Sequence, residues 1–162
     1  MNTSKKYYVR NFDAETLTKM CYTVYIGTNK VLELGQFVPE QTDIYFENPT
    51  DEELIELREK FTKQNIYYIG SDTNCSCGLD FPSQLYDSPD WAENKKSPLK
   101  FIDFLKEATI DEDIEFYCCW TGDCESKIEH NQVIDIREIS LDKNYFGLTE
   151  KEFINFKQQT TK

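Results

Sequence analysis

Six cysteines and a single histidine are the side chains of this sequence best suited to chemistry. Cys75 and Cys77 stand one residue apart in Cys75-Ser76-Cys77-Gly78, three residues after Tyr67-Tyr68-Ile69-Gly70-Ser71. Two thiols that close can share a metal ion, close a small strained disulfide ring, or fill a tight corner. Cys118 and Cys119 are adjacent, and Cys124 follows shortly after. A tetrahedral zinc site takes four ligands, usually as two short-spaced pairs. Cys75, Cys77 and Cys124, with one of Cys118 and Cys119, meet that count. Neighbouring residues of a strand point to opposite faces, so Cys118 and Cys119 cannot both join without a bulge. The one-residue spacing is not the common two-residue one. Inert packed thiols therefore stand beside the metal reading, as does redox or nucleophilic thiol chemistry.

His130 lies in Glu129-His130-Asn131, which reads as a polar turn rather than as half of a Cys–His dyad. Asp111-Glu112-Asp113 and Asp51-Glu52-Glu53 are acidic runs of the kind that form solvated faces and helix starts. No pair of carboxylates with separated environments can be picked out. There is no glycine-rich phosphate loop and no G-x-S-x-G elbow. Trp91 sits in a polar stretch, where its indole must fold back on the domain or meet a partner.

The thiols must be positioned by strands. Cys21 to Ile26 reads as a strand ended by Gly27, and Val31 to Val38 as its hairpin partner, with a short extended piece at Asp43 to Phe46. Thr50-Asp51-Glu52-Glu53 is a capping box that opens a helix predicted to reach about Lys63. Ile66 to Gly70 is a strand, and Ser71 to Ser97 a long polar connection. Ser97-Pro98 predicts the start of a second helix with Phe101, Ile102, Phe104 and Leu105 on its apolar side. Ile114 to Trp120 alternates as a strand, and Val133 to Ile139 reads as its antiparallel partner. Leu148-Thr149-Glu150-Lys151-Glu152-Phe153 carries a second capping box and predicts a third helix through Phe156. The order predicts an α+β fold, a mostly antiparallel sheet with about three helices packed on it.

Length suits one domain: 162 residues, 39% apolar and 14% aromatic. The net charge of -12 at pH 7 opposes sequence-independent binding to nucleic acid and docking on anionic membranes. It suits solubility, a cation or a basic protein partner. No apolar run approaches the length of a membrane span, and the first twenty residues lack the apolar core of a secretory signal. The expected location is the cytoplasm, with reduced cysteines. Residues 1 to 19 carry Lys5, Lys6, Arg10 and Lys19 against Asp13 and Glu15, whereas the remainder holds 14 basic and 28 acidic residues. This contrast marks residues 1-19 as an N-terminal extension, 20-157 as the domain and 158-162 as a disordered tail.

Met20-Cys21-Tyr22-Thr23-Val24-Tyr25-Ile26-Gly27-Thr28, Tyr67-Tyr68-Ile69-Gly70-Ser71 and Cys75-Ser76-Cys77-Gly78 together resemble a set of small uncharacterised bacterial proteins. Those proteins open with Met-Cys and a strand, then carry a Tyr-Tyr-x-Gly-Ser segment and a Cys-x-Cys-Gly turn. The resemblance covers about the first half of the domain. It implies a bacterial origin and no established activity, and it transfers no catalytic residue. This chain departs in the nineteen residues before Met20, which are either a true extension or lie upstream of a start at Met20.

Three functional expectations follow. The first is a non-enzymatic, acidic, cytoplasmic protein-binding domain of immunity-like or regulatory type, which meets a basic protein and carries no cofactor. The second is a thiolate zinc protein, structural or catalytic, with candidate ligands among Cys75, Cys77, Cys118, Cys119 and Cys124. A thiol enzyme using Cys75 or Cys77 is a third possibility.

Overall fold

The computed structural model describes residues 21–159. Six strands form one sheet: β1 (Tyr22–Thr28), β2 (Ile44–Glu47), β3 (Asn65–Ser71), β4 (Ile114–Trp120), β5 (His130–Asp135) and β6 (Glu152–Lys157). Their order is β2-β3-β1-β4-β6-β5, antiparallel throughout except for the parallel pair β5–β6. Among the described residues there are two α-helices rather than three, α1 (Asp51–Arg58) and α2 (Lys96–Ala108). The α+β class and the mostly antiparallel sheet are as the sequence predicts.

Alternation along the strands explains why both faces are covered. Val24 and Ile26 of β1, Ile114, Phe116 and Cys118 of β4, and Ile154 and Phe156 of β6 face α2, where Phe101, Ile102 and Leu105 complete the larger core. Tyr25, Tyr117, Cys119 and Phe153 face the other way and pack with Leu57 of α1 and with Phe61. Burial of a side chain the size of Phe101 or Leu105 contributes about 1.5–3 kcal/mol. The two-sided cover is why β1 and β4 are buried along almost their whole length.

The capping box of α1 forms as predicted. Thr50 Oγ1 accepts the Glu53 amide at 3.2 Å, and Glu53 Oε2 accepts the Thr50 amide at 2.9 Å. The helix stops at Arg58, short of Lys63. The Lys60 and Phe61 amides still turn back to the Leu57 carbonyl, and Glu115 of β4 then takes the donors beyond them, accepting the Thr62 amide at 2.9 Å and the Lys63 amide at 3.2 Å. Arg58 itself turns to the Lys63 carbonyl at 2.8 Å and the Gln64 carbonyl at 2.6 Å.

Four expectations on elements are corrected. Val31 to Val38 is not a strand. β3 and β4 occupy both edges of β1, and the segment reaches the sheet through Gly35, whose amide donates to the Phe46 carbonyl at 2.9 Å. Its Val31 is 85% exposed. The predicted third helix is β6: Lys151 takes a positive φ of 58°, which breaks a helix, and Phe153 and Ile154 then bury on opposite faces. Because β6 takes the free edge of β4, the segment near Val133 pairs parallel with β6 instead, and residues Ile136–Glu138 leave it as a 3-10 turn. Ser97 is not an N-cap but the second residue of α2. Its hydroxyl accepts the Asp72 amide at 3.0 Å and donates to the Asp43 carbonyl at 2.6 Å, which ties the helix start to the sheet.

The long connection after β3 winds through four 3-10 turns, and Trp91 folds back against Phe81 with ring centroids 6.2 Å apart. The extension expected at residues 1-19 lies outside the described residues, as do 160-162 of the expected tail. Gln158, also assigned to that tail, donates from its side chain to the Lys106 carbonyl at 2.7 Å.

Candidate thiolate site

The site forms where β3 ends beside the start of β1. In an antiparallel pair the end of one strand lies next to the beginning of the other, and the register Val24↔Ile69 sets this overlap. Beyond Ile69 the chain leaves the ladder with β1, while Gly70 and Ser71 stay paired with β2. The Ser71 amide donates to the Cys75 carbonyl at 3.0 Å, and Asn74 takes a positive φ of 59° to close the turn. Residues Ser76–Leu79 then form a 3-10 turn that occupies the space beside β1.

Polar contacts of three side chains seat that turn. Ser76 Oγ accepts the Val24 amide at 3.0 Å and donates to the Ile69 carbonyl at 2.6 Å, so one hydroxyl replaces a direct ladder bond. Cys77 Sγ accepts the Tyr22 amide at 3.2 Å. Cys75 Sγ accepts the Cys77 amide at 3.4 Å and meets Thr73 Oγ1 at 3.2 Å. Gly78 permits the close approach: a Cβ there would stand 2.2 Å from Ser71 Oγ and 2.6 Å from Asp72 Oδ1.

Cys21 joins from the start of β1. Its carbonyl accepts from the Thr121 amide and from the Thr121 hydroxyl, each at 2.9 Å. Next to it Tyr22 stacks on Trp120, with ring centroids 4.3 Å apart. The result is a group of three sulfurs, Cys21, Cys75 and Cys77, all within 4.8 Å of one another. Each of the three residues is partly exposed.

The hydrogen bonds polarise the group. Donation from the Cys77 thiol, above all, brings the Cys75 thiol down to about 5 against the opposing effect of burial, and the Thr73 hydroxyl and the Cys77 amide add to it. The same bond to Cys75, with burial, pushes Cys77 up. Burial and the charge on Cys75 push Cys21 up. These shifts make Cys75 the readiest of the three to ionise. Cys77 also forms part of the wall of a surface cleft of about 460 Å³, shared with Asp80, Phe81, Trp91, Lys143 and Tyr145.

The structure brings Cys75 and Cys77 together, as the sequence predicts, but completes the group with Cys21 and not with Cys118, Cys119 or Cys124. Cys118 is buried in the α2-side core, where burial pushes its thiol up. Cys119 and Cys124 lie on the α1 side and hydrogen bond to each other. Cys124 also donates to Tyr25 Oη at 3.2 Å, and Tyr25 donates to Glu53 Oε1 at 2.9 Å. His130 is exposed on the edge strand β5, opposite Glu152. The sequence marks Cys21 only as the first residue of a predicted strand. The signal for it was available in the placement of one thiol at the start of a strand and two just past the end of another, given that those strands pair antiparallel.

No protein-family model, curated protein or solved structure matches the chain. Among the described residues no helix is long and apolar enough to cross a membrane.

Proposed function

We propose that the protein binds a soft divalent metal ion, zinc in the first instance, through the thiolates of Cys21, Cys75 and Cys77. The observation that carries this reading is the mutual approach of the three sulfurs within 4.8 Å. Sulfurs 2.3 Å from one ion in tetrahedral array stand roughly 3.8 Å apart, so modest side-chain rotation suffices. Two backbone amides already point at sulfur, Tyr22 at Cys77 and Cys77 at Cys75. Such donors stabilise sulfur in its charged form, which is the form a metal requires. The ion would join the start of β1 to the turn after β3.

The test is metal analysis of protein purified without chelator after zinc-supplemented expression. The expected result is about one zinc per chain. Cys21→Ser and Cys75→Ser abolish it, while Cys124→Ser leaves it intact. Absence of zinc from the parent protein, or equal loss in Cys124→Ser, overturns the reading.

A second reading is that the acidic domain binds a basic protein partner. It is favoured by Val31, Leu34 and Val38, which are exposed on one segment beside Glu33 and Glu40 in a chain of net charge -12. Co-purification from the native host tests it. A specific partner released by salt is expected, and repeated recovery of none counts against it.

A further inference from the structure

A second pair of thiols stands on the α1 side of the sheet. Cys119 lies near the end of β4, and the turn that follows brings Cys124 back beside it, with Gly122 at a φ of 83° and the Asp123 amide donating to the Trp120 carbonyl at 3.0 Å. The two thiols hydrogen bond, Cys119 donating to Cys124. Cys119 is fully buried, whereas Cys124 lines a surface cleft of about 390 Å³ together with Thr50, Glu52, Glu53, Glu56 and Glu125. A proton path leads from the sulfur to that cleft: Cys124 Sγ donates to Tyr25 Oη at 3.2 Å, and Tyr25 Oη donates to Glu53 Oε1 at 2.9 Å. Lys60 is held close by, its ammonium donating to the Cys124 carbonyl at 2.6 Å. Donation from Cys119, above all, lowers the Cys124 thiol against the effect of burial; Tyr25 and Lys60 act with it, and the charge of Glu53 acts against it.

We propose that Cys124 is a nucleophile for small neutral hydroperoxides entering this cleft, and that Cys119 resolves the product as a Cys119–Cys124 disulfide. The proposal is independent of the metal reading. A reactive thiol at a cleft with a resolving cysteine beside it is the arrangement that such chemistry needs. The Cys124 proton passes through Tyr25 Oη to Glu53. The Cys124 sulfur attacks one peroxide oxygen: the S–O bond forms, the O–O bond breaks, and the leaving oxygen takes up that proton as water. The peroxide is reduced by two electrons, and Cys124 is oxidised to a sulfenic acid. The Cys119 sulfur then attacks Cys124: the S–S bond forms, the S–O bond breaks, and hydroxide leaves with the Cys119 proton as a second water. A small dithiol returns the pair to thiols by exchange, itself becoming a disulfide. The sulfurs must close to about 2.05 Å, and the open space around Gly122 leaves the turn room to follow. Charge selects the oxidant. Glu52, Glu53, Glu56 and Glu125 at the cleft repel an anion and do not oppose a neutral peroxide, while Lys60 is committed to the Cys124 carbonyl.

The experiment treats the reduced full chain with a small excess of hydrogen peroxide, blocks the remaining thiols and maps the products by mass. Cleavage before Asp123 separates Cys119 from Cys124, so their disulfide appears as two joined peptides. That link is expected in the parent, and Cys124 should oxidise at least about tenfold faster than the buried Cys118. Cys119→Ser should stop at a sulfenic acid on Cys124, captured by dimedone, and Cys124→Ser should leave Cys119 a free thiol. The parent and Cys124→Ser decide the matter by themselves where Cys119→Ser does not fold. Oxidised glutathione, an anionic disulfide, should oxidise the pair roughly fivefold faster when salt is raised, while the peroxide rate stays level. Cys119 and Cys124 both still free after Cys75 has been oxidised overturns the proposal. Oxidation of Cys119 in Cys124→Ser at the parent rate, or no sulfenic acid on Cys124 in a folded Cys119→Ser, overturns the assignment of nucleophile and resolving thiol. A glutathione rate that does not rise with salt overturns the selection of neutral oxidants.

Discussion

Ser76 holds Val24 at one remove from its sheet partner: the hydroxyl accepts the Val24 amide at 3.0 Å and passes its own hydrogen to the Ile69 carbonyl at 2.6 Å. The serine between the two cysteines is therefore the hinge pin of the site, because it fixes the turn against β1. Ser76→Ala leaves a buried amide and a buried carbonyl without this partner. It should cost about 2–3 kcal/mol in urea denaturation, because an unpaired buried group loses its full solvation. The loss should appear as a lower midpoint with an unchanged slope.

Gly78 reads as an ordinary turn glycine until the space around it is measured. A methyl group there meets Ser71 Oγ at 2.2 Å and Ser71 Cβ at 2.9 Å, and the latter belongs to a fully buried residue at the end of β3. Gly78→Ala must push the 3-10 turn away from β3 and carry Cys77 with it. A destabilisation of about 1–3 kcal/mol is expected from overpacking. Zinc binding should weaken in the same variant.

Legibility in the sequence followed the range of the interactions. The capping box at Thr50, the strand Ile114 to Trp120 and the apolar side of α2 are set within a few residues, and they formed. Phe153-Ile154-Asn155-Phe156 suits either a helix or a strand by local preference. Its state was decided by the free edge of β4, far away in sequence. Val31 to Val38 lost its place as a strand for the converse reason, since both edges of β1 were taken. The site shows the same division. Cys75 and Cys77 were visible by spacing, whereas Cys21 enters through the pairing of β1 with β3 and lies 54 residues before Cys75 in the chain.

The thiols should differ sharply in alkylation once metal is stripped by a chelator. Cys75 is brought down to about 5, chiefly by donation from Cys77, so its thiolate predominates at pH 7. Its rate should stay nearly flat from pH 9 to pH 6 and fall below that. Cys118 and Cys119 are buried, with thiols pushed up, and should react only on unfolding. Mass mapping after a short pulse checks the order. A Cys75 rate that climbs steeply between pH 7 and pH 9 would show that its thiol is not depressed.

Glu152 carries a different pH signature. Its Oε2 is buried with no hydrogen-bond partner within 3.5 Å among the described residues, and burial raises its carboxyl, partly offset by the Gln132 amide, by His130 and by the Thr149 hydroxyl. A folded-state value above the unfolded one stabilises the protein below the unfolded value. That contribution is lost as pH rises through the folded value. Glu152→Gln should therefore be more stable than the parent at pH 8, by on the order of 1 kcal/mol after allowance for solvent screening, and the gap should close near pH 4. Urea midpoints at the two pH values check the sign.

Metal should act on stability through the ends of two strands. Cys21 precedes β1, and Cys75 and Cys77 follow β3, so an ion held by all three closes the open side of the β1–β3 pair. Because the unfolded chain does not hold the three sulfurs together, binding is linked to folding. Free zinc at a thousand times its dissociation constant adds about 4 kcal/mol. The melting temperature should thus rise with zinc and return to its starting value with a chelator. Cys21→Ser should lose the zinc response, since two ligands one residue apart within a single turn neither hold the ion nor tie β1 to it. Cys119→Ser should melt lower than the parent, through the loss of its bond to Cys124 on the opposite face, yet keep the full zinc-dependent shift. A zinc response that disappears in Cys119→Ser and persists in Cys21→Ser would place the ion on the α1 side of the sheet instead.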